Sequence, residues 1–336
     1  MTTVSVEGLA ASLDVEKSVS RRVLEFTAKY GTIVALLAMI AIFSALRPEA
    51  FFTWKNLLNV LTQNSLIAII ACGMTLPLVV GEFDMSIGYQ ASFAGVIGVG
   101  LMSNQHLPAW LAIAIAIAIG ALMGLINGLI ITRLGVVSLI ATLGTGTILV
   151  GMNYWYTGGQ PVTLVGNKEF LDLSLGKAFG VIPNPILLMI VAVAVLWVLL
   201  NRTALGQQMQ AVGGNAESAQ LSGVRVSRVR VWSLVIVGVA ATATGILLAS
   251  RVGSGQLTAG DSYLMNSFAA VFLGSAALRD GEFHVIGTLI GVLTVGVGYN
   301  GLGILGAPPF AQYVFSGSLL ILAVALSTVA RRYSKR

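Results

Sequence analysis

Charged side chains are scarce, making up 10% of the 336 residues against roughly 25% in ordinary soluble domains. A soluble globular enzyme is excluded by that scarcity. Cysteine is reduced to Cys72, which rules out an internal disulfide or a multi-cysteine metal site. Set in an apolar stretch, it reads as a packed helix residue. His106 and His284 are the two histidines, and each stands without a second histidine near it in sequence, so a histidine metal site has little support. No phosphate-loop pattern ending in Lys-Ser or Lys-Thr occurs, so the polypeptide is expected to bind no nucleotide cofactor and to hydrolyse none itself.

Apolar residues make up 56% of the chain, and there are 39 glycines. That mixture suits apolar helices packed closely in a lipid bilayer, where small residues let backbones approach. The formal charge of +6 invites a nucleic-acid reading, but such a partner needs basic residues gathered on one face. Here they lie between apolar runs, and no nucleic acid is expected.

A helix crosses the hydrocarbon in about 20 residues, and charge is costly at that depth, so charge-free intervals count the spans. They are 30–46, 56–81, 85–132, 134–167, 178–201, 231–250, 262–278 and 283–330. The third and the last are long enough for two helices each. The third is divided by Ser103, Asn104, Gln105, His106 and Pro108, and the last near Gly306, Pro308 and Pro309, where helix breakers gather. An all-α polytopic membrane protein with about ten transmembrane helices is predicted, with spans near 29–47, 61–80, 86–102, 109–131, 137–156, 183–200, 231–250, 263–279, 284–303 and 311–330. Ala and Ile alternate over 112–119, but the apolar run around them is too long for a strand.

An even span count puts both termini on one side. If that side is cytoplasmic it receives 14 of the 19 Lys and Arg residues, as the positive-inside rule requires. Residues 1–28 then form a polar cytoplasmic tail without a signal-peptide core, 29–330 the transmembrane domain, 201–230 its long cytoplasmic loop, and 331–336 a basic cytoplasmic tail. Gly120, Gly124 and Gly128 stripe one face of the fourth span, and Gly287 and Gly291 repeat the spacing in the ninth. Such stripes serve static helix packing more often than a gate or dimer seam.

Acidic residues between adjacent spans are functional candidates. Gly81-Glu82-Phe83-Asp84-Met85-Ser86-Ile87-Gly88 joins spans two and three without a hydrophilic loop, which implies a discontinuous helix. Asp84 or Ser86 is expected to cap the third helix, and Glu82, Asp84 and Ser86 to line a polar path. Arg279-Asp280-Gly281-Glu282-Phe283-His284 repeats the Gly-Glu-Phe tripeptide 200 positions on, a hint of internal duplication. In the long loop, Asn215 is a predicted N-cap for a short helix over 216–222, with Glu217 near its positive end and Gly223 terminating it.

Three segments resemble the permeases of ribose/xylose/arabinose-type ATP-binding cassette importers, within the branched-chain amino acid/monosaccharide permease superfamily. They are GEFDMSIG after span two, ATLGTGTILVGMNYWYTGGQPV over 141–162, and TALGQQMQAVGGNAESAQLSG over 203–223. Glu217-Ser218-Ala219 followed by Gly223 is similar to the family's Glu-Ala-Ala and distal-glycine ATPase contact, with Ser218 at the central alanine. The resemblance covers residues 55–330. It implies a non-enzymatic, ten-helix permease that imports a monosaccharide or related solute across a bacterial cytoplasmic (inner) membrane by alternating access. It implies ATP on a partner ATPase, a periplasmic or lipid-anchored sugar-binding protein, and a second permease copy or paralogue. The ATPase-coupling residues would be Gly213, Gly214, Asn215, Glu217, Ser218, Ala219 and Gly223. Two readings compete: a proton-coupled secondary transporter using Glu82, Asp84, Glu282 or His284, and an intramembrane enzyme, for which no nucleophile and base stand together.

Overall fold

The computed structural model describes residues 30–164, 166–275, 277 and 281–334, and the side chains of 323 and 326–334 are not described. The 1–28 tail, Arg279 and Asp280 fall outside these residues. Helices dominate. Ten of them coincide with the charge-free intervals: α1 (Tyr30–Leu46), α3 (Trp54–Val79), α4 (Ile87–Ser103), α5 (Ala109–Leu134), α6 (Ser138–Thr157), α8 (Asn184–Arg202), α11 (Val226–Val252), α12 (Asp261–Ser275), α13 (Val285–Ile304) and α14 (Pro309–Ser334). Four shorter ones are α2 (Pro48–Phe51), α7 (Lys168–Leu175), α9 (Ala204–Gly214) and α10 (Ala216–Leu221). By length and composition α3, α5, α8, α11 and α13 are each able to cross a bilayer, and α1 and α4 are shorter apolar helices.

Two helices start earlier than the charge intervals suggest. α3 begins at Trp54 because Thr53 caps it, its hydroxyl accepting the Asn56 amide N–H at 3.1 Å. α11 begins at Val226 and carries Arg228 and Arg230 within its first turns. A charge marks where apolar surroundings end, whereas the helix continues as long as its own backbone bonds are made.

α11 is the axis of the bundle and packs against α3, α4 and α5. Small residues set each approach. A Cβ added at Gly124 would collide with the Leu234 carbonyl, and one at Gly120 with Thr242 and the Gly238 carbonyl. On the α4 side, Gly245 meets the Ala91 carbonyl, and on the α3 side Gly73 meets Ala240. Gly287 and Gly291 likewise lie against Gly274 and Ala270 of α12. Both predicted glycine stripes are therefore consumed by packing inside the chain.

Between α6 and α8, residues 158–164 and 166–183 carry a short helix and paired strand segments. α7 is capped by Asn167, which accepts the Phe170 N–H at 3.1 Å. It is sutured to the end of α11: Ser174 donates its N–H to Ser250 Oγ and its hydroxyl to the Leu247 carbonyl, while Ser250 donates to the Phe170 carbonyl. Strand β1 (Val162–Thr163) pairs antiparallel with β4 (Ser254–Gly255), and β2 (Lys177–Ala178) with β3 (Ile182–Pro183).

Replacing Gly124 by Ala is expected to lower thermal stability in detergent, by about 1–3 kcal/mol as overpacked cores do. Gly151, where an added Cβ would have nothing within 4 Å, is the control: Gly151→Ala is expected to be neutral or to gain up to about 1 kcal/mol of helix propensity. Equal losses would contradict the packing assignment.

Candidate functional site

The α3–α4 connection is a break whose freed backbone groups find named partners. Gly81 adopts a left-handed conformation, with φ +85. The Glu82 N–H reaches back to the Pro77 carbonyl at 2.8 Å, closing α3 as a Schellman motif closes a helix. Beyond it, the Phe83 N–H donates to Ser138 Oγ at 3.1 Å and the Met85 N–H to Thr142 Oγ1 at 2.9 Å. The first turns of α6 thus replace the helical partners that the break removes.

Asp84 and Ser86 are fully buried. One Asp84 carboxylate oxygen accepts both the Ser86 N–H and the Ser86 hydroxyl, and the other has no partner among the described residues. Ser86 Oγ in turn accepts from Gln90 Nε2 at 2.7 Å and Asn127 Nδ2 at 3.0 Å, and Asn127 Oδ1 accepts from Thr145 at 2.7 Å. Neither side chain makes the expected cap: Asp84 accepts the N–H of the N-cap residue itself, a local turn ahead of α4. Ser86 occupies the N-cap position of α4 without a side-chain capping bond, because its hydroxyl is already the hub joining α4, α5 and the break. Gln90 also borders a cavity of about 10 Å³ with Thr242 and Gly120, room for roughly one water.

Glu82 turns away from this hub. It is 7% exposed and forms an ion pair with Arg230 at 3.1 Å.

The second Gly-Glu-Phe repeats the turn locally, with Gly281 at φ +91 and a helix starting directly after His284. His284 caps that helix: Nδ1 accepts the Gly287 N–H at 2.9 Å, and Nε2 lies 2.7 Å from the Ala277 carbonyl. An acceptor on one nitrogen and a carbonyl on the other describe a neutral ring protonated at Nε2. Glu282 is exposed, while Glu82 pairs with Arg230 and His284 caps the following helix. A row of phenylalanines, Phe83–Phe268–Phe272–Phe283, joins the two turns with ring centroids 6.2, 6.3 and 5.4 Å apart. Among the described residues, no three His, Cys, Asp or Glu side chains gather in a metal-binding group.

The long loop contains two helices where its sequence suggests one. Gly213 and Gly214 end α9 instead of forming a phosphate cradle. Asn215 follows, its Oδ1 accepting the Ser218 N–H at 2.9 Å, and α10 then runs to Leu221. Gly223, at φ +86, lets its own N–H reach the Gln220 carbonyl and the Val224 N–H reach Ala219, the paired bonds of a Schellman end. Ala219 is buried as an anchor, while Glu217 and Ser218 face outward and Leu221 is 85% exposed.

Arg230, Gln90, Asn127 and Ser138 are candidate residues outside every quoted sequence motif, while Thr142 and Thr145 lie within 141–162 and Leu221 within 203–223 without being marked there individually. Asn127 and Gln90 carry a detectable signal as isolated amides inside apolar spans, and Leu221 as the apolar residue of an otherwise polar capped helix. Arg230 is, in sequence, only one of the loop cations.

A bundle of apolar helices, a broken one stitched by buried hydroxyls and amides, and a capped helix pair standing off it define a multi-pass membrane permease. The family model described as "Branched-chain amino acid transport system / permease component" matches residues 56–324, and the chain belongs to that family. It is 39% identical over 299 residues to the ribose import permease of Bacillus subtilis, covering 89% of this chain and 92% of that protein. With the ribose import permease of Haemophilus influenzae it shares 37% identity over 302 residues, 89% and 93% of the two chains. The galactose/methyl galactoside import permease of Escherichia coli is 34% identical over 322 residues, 91% and 95%. No solved structure matches the chain. The chain is accordingly a multi-pass permease component of that transport-system family.

Replacing Ser86 by Ala removes the hub hydroxyl and leaves Asp84, Gln90 and Asn127 each short of a partner. The expected loss is on the order of 2–4 kcal/mol, read as thermal unfolding of the detergent-solubilised protein. Stability equal to wild type would show that the network contributes nothing.

Proposed function

We propose that the chain is the membrane subunit of an importer for a monosaccharide, a pentose or hexose, driven by a separate ATPase. The observation that carries this is the similarity, along about nine-tenths of the chain, to permeases named for ribose and for galactose import. A chain without a phosphate-loop sequence fits a machine in which a partner binds the ATP. A periplasmic or lipid-anchored sugar-binding protein delivers the solute, and a second permease copy or paralogue completes the conduit. Ten crossings with both termini in the cytoplasm of a bacterial inner membrane accommodate the distribution of Lys and Arg.

In this reading α10 is the ATPase docking element. Gly213, Gly214, Asn215, Glu217, Ser218, Ala219 and Gly223 shape it, and Leu221, which α10 leaves 85% exposed, joins them as its apolar contact. Closure of the ATPase domains pushes α9–α10, and the membrane helices alternate between inward and outward openings. Such coupling requires contacts that differ between the two states. Glu82, Asp84 and Ser86 belong to the break that borders the solute path and rearranges as it opens.

Reconstitution tests the assignment. Proteoliposomes holding this chain with its ATPase and binding protein are expected to accumulate sugar with ATP. Uptake by the chain alone under a proton gradient would replace the importer with a secondary transporter. Glu217→Lys and Leu221→Asp are each expected to weaken ATPase binding about tenfold or more, as loss of a central interface contact does. Insertion and melting temperature should stay unchanged. Wild-type affinity in both variants would remove α10 from the docking surface.

A further inference from the structure

Two contacts between residues distant in sequence lie at the α3–α4 junction, one made by α9 and the other by the first turns of α11. Gly213, on the last turn of α9, lies so close to the Val79 carbonyl at the end of α3 that an added Cβ would collide with it. Three residues further along, Glu82 pairs with Arg230, which stands on the first turns of α11 where the chain leaves α10. Arg230 is about one-third exposed, whereas Glu82 is nearly enclosed. Their separation is that of a close ion pair, although the Arg230 Nε–H is not aligned for a hydrogen bond.

An enclosed carboxylate follows its cation. Withdrawing Arg230 would leave Glu82 uncompensated, and breaking a buried pair from one side is strongly unfavourable. The break itself lacks helical bonds and is held by Ser138 and Thr142 of α6 and by Asp84. A displacement received at Glu82 is therefore delivered to α6 through the Phe83 and Met85 amides, and to α5 through Ser86 and Asn127.

Building on the importer reading above, we propose that the Glu82–Arg230 ion pair, seated beside the Gly213–Val79 contact, transmits α9–α10 motion to the α3–α4 break. Glu82 and Arg230 are positioning residues for transport. Coupling lies in the pair, separate from the docking surface formed by Glu217 and Leu221.

The test uses the complete assembly in proteoliposomes, with radiolabelled D-ribose and D-galactose, reading sugar uptake and ATP hydrolysis together. Glu82→Gln, which leaves no buried charge behind, and Arg230→Gln are each expected to lower the sugar moved per ATP about tenfold, within the usual range of coupling between sites. ATPase binding to these variants should remain at the wild-type level. The charge-swapped double variant Glu82→Arg/Arg230→Glu is expected to recover most of the lost ratio. A wild-type ratio in both single variants would overturn the proposal. So would an unrescued loss in the double variant accompanied by a lowered melting temperature, which is the signature of a pair that only holds the fold. A wild-type assembly moving neither sugar with ATP would overturn the importer reading and this proposal with it, whereas normal wild-type transport with unaffected variants removes the proposal alone.

Discussion

Away from water, a backbone N–H or carbonyl that leaves its helix must find another partner within the protein. The α3–α4 break is organised by that requirement. Gly81 turns the chain so that the Glu82 N–H returns to Pro77, and Ser138 and Thr142 receive the next free amides. The start of α6 is consequently fixed beside the end of α3. Asp84 and Ser86 add a polar hub that draws in Asn127 of α5. Satisfying a few backbone groups thus specifies how four helices meet, and the same bonds make the break sensitive to movement of any one of them.

The remainder of the bundle depends on close approach. Apolar attraction between helices is weak in lipid, so dispersion contacts at short separation hold them together. α11 receives small residues from α3, α4 and α5 at successive levels, and this makes it a rigid shaft whose first turns carry Arg230. α10, by contrast, is defined by its own caps, Asn215 and Gly223, and leaves Leu221 in solvent. A locally self-sufficient helix is suited to being pushed by a partner.

The two Gly-Glu-Phe turns show one local solution used twice. A glycine at positive φ precedes the next helix at both places, and at the second of them the His284 side chain caps that helix. The side chains then diverge: Glu82 is paired and enclosed while Glu282 is exposed, and Asp84 feeds a buried network where His284 simply caps α13. Their phenylalanines meet through Phe268 and Phe272, so the repetition is physical as well as textual.

Much of this was determined by the sequence alone. Charge-free runs located the apolar helices, five of which among the described residues are long enough to cross a bilayer, because the cost of burying charge acts residue by residue, and the short helix capped by Asn215 was legible because caps are built from neighbours in the chain. Membership of the permease family was legible for a similar reason, in contiguous motifs. Tertiary structure decided the rest. Nothing near Glu82 announces Arg230, 148 positions away, and nothing near Ser86 announces Asn127 or near Met85 Thr142. The glycine stripes could have faced lipid, a second subunit or the chain's own helices until α11 and α12 were seen to fill them. Local chemistry names which groups need partners, while only the folded chain, by bringing distant segments within a few ångströms, determines who those partners are.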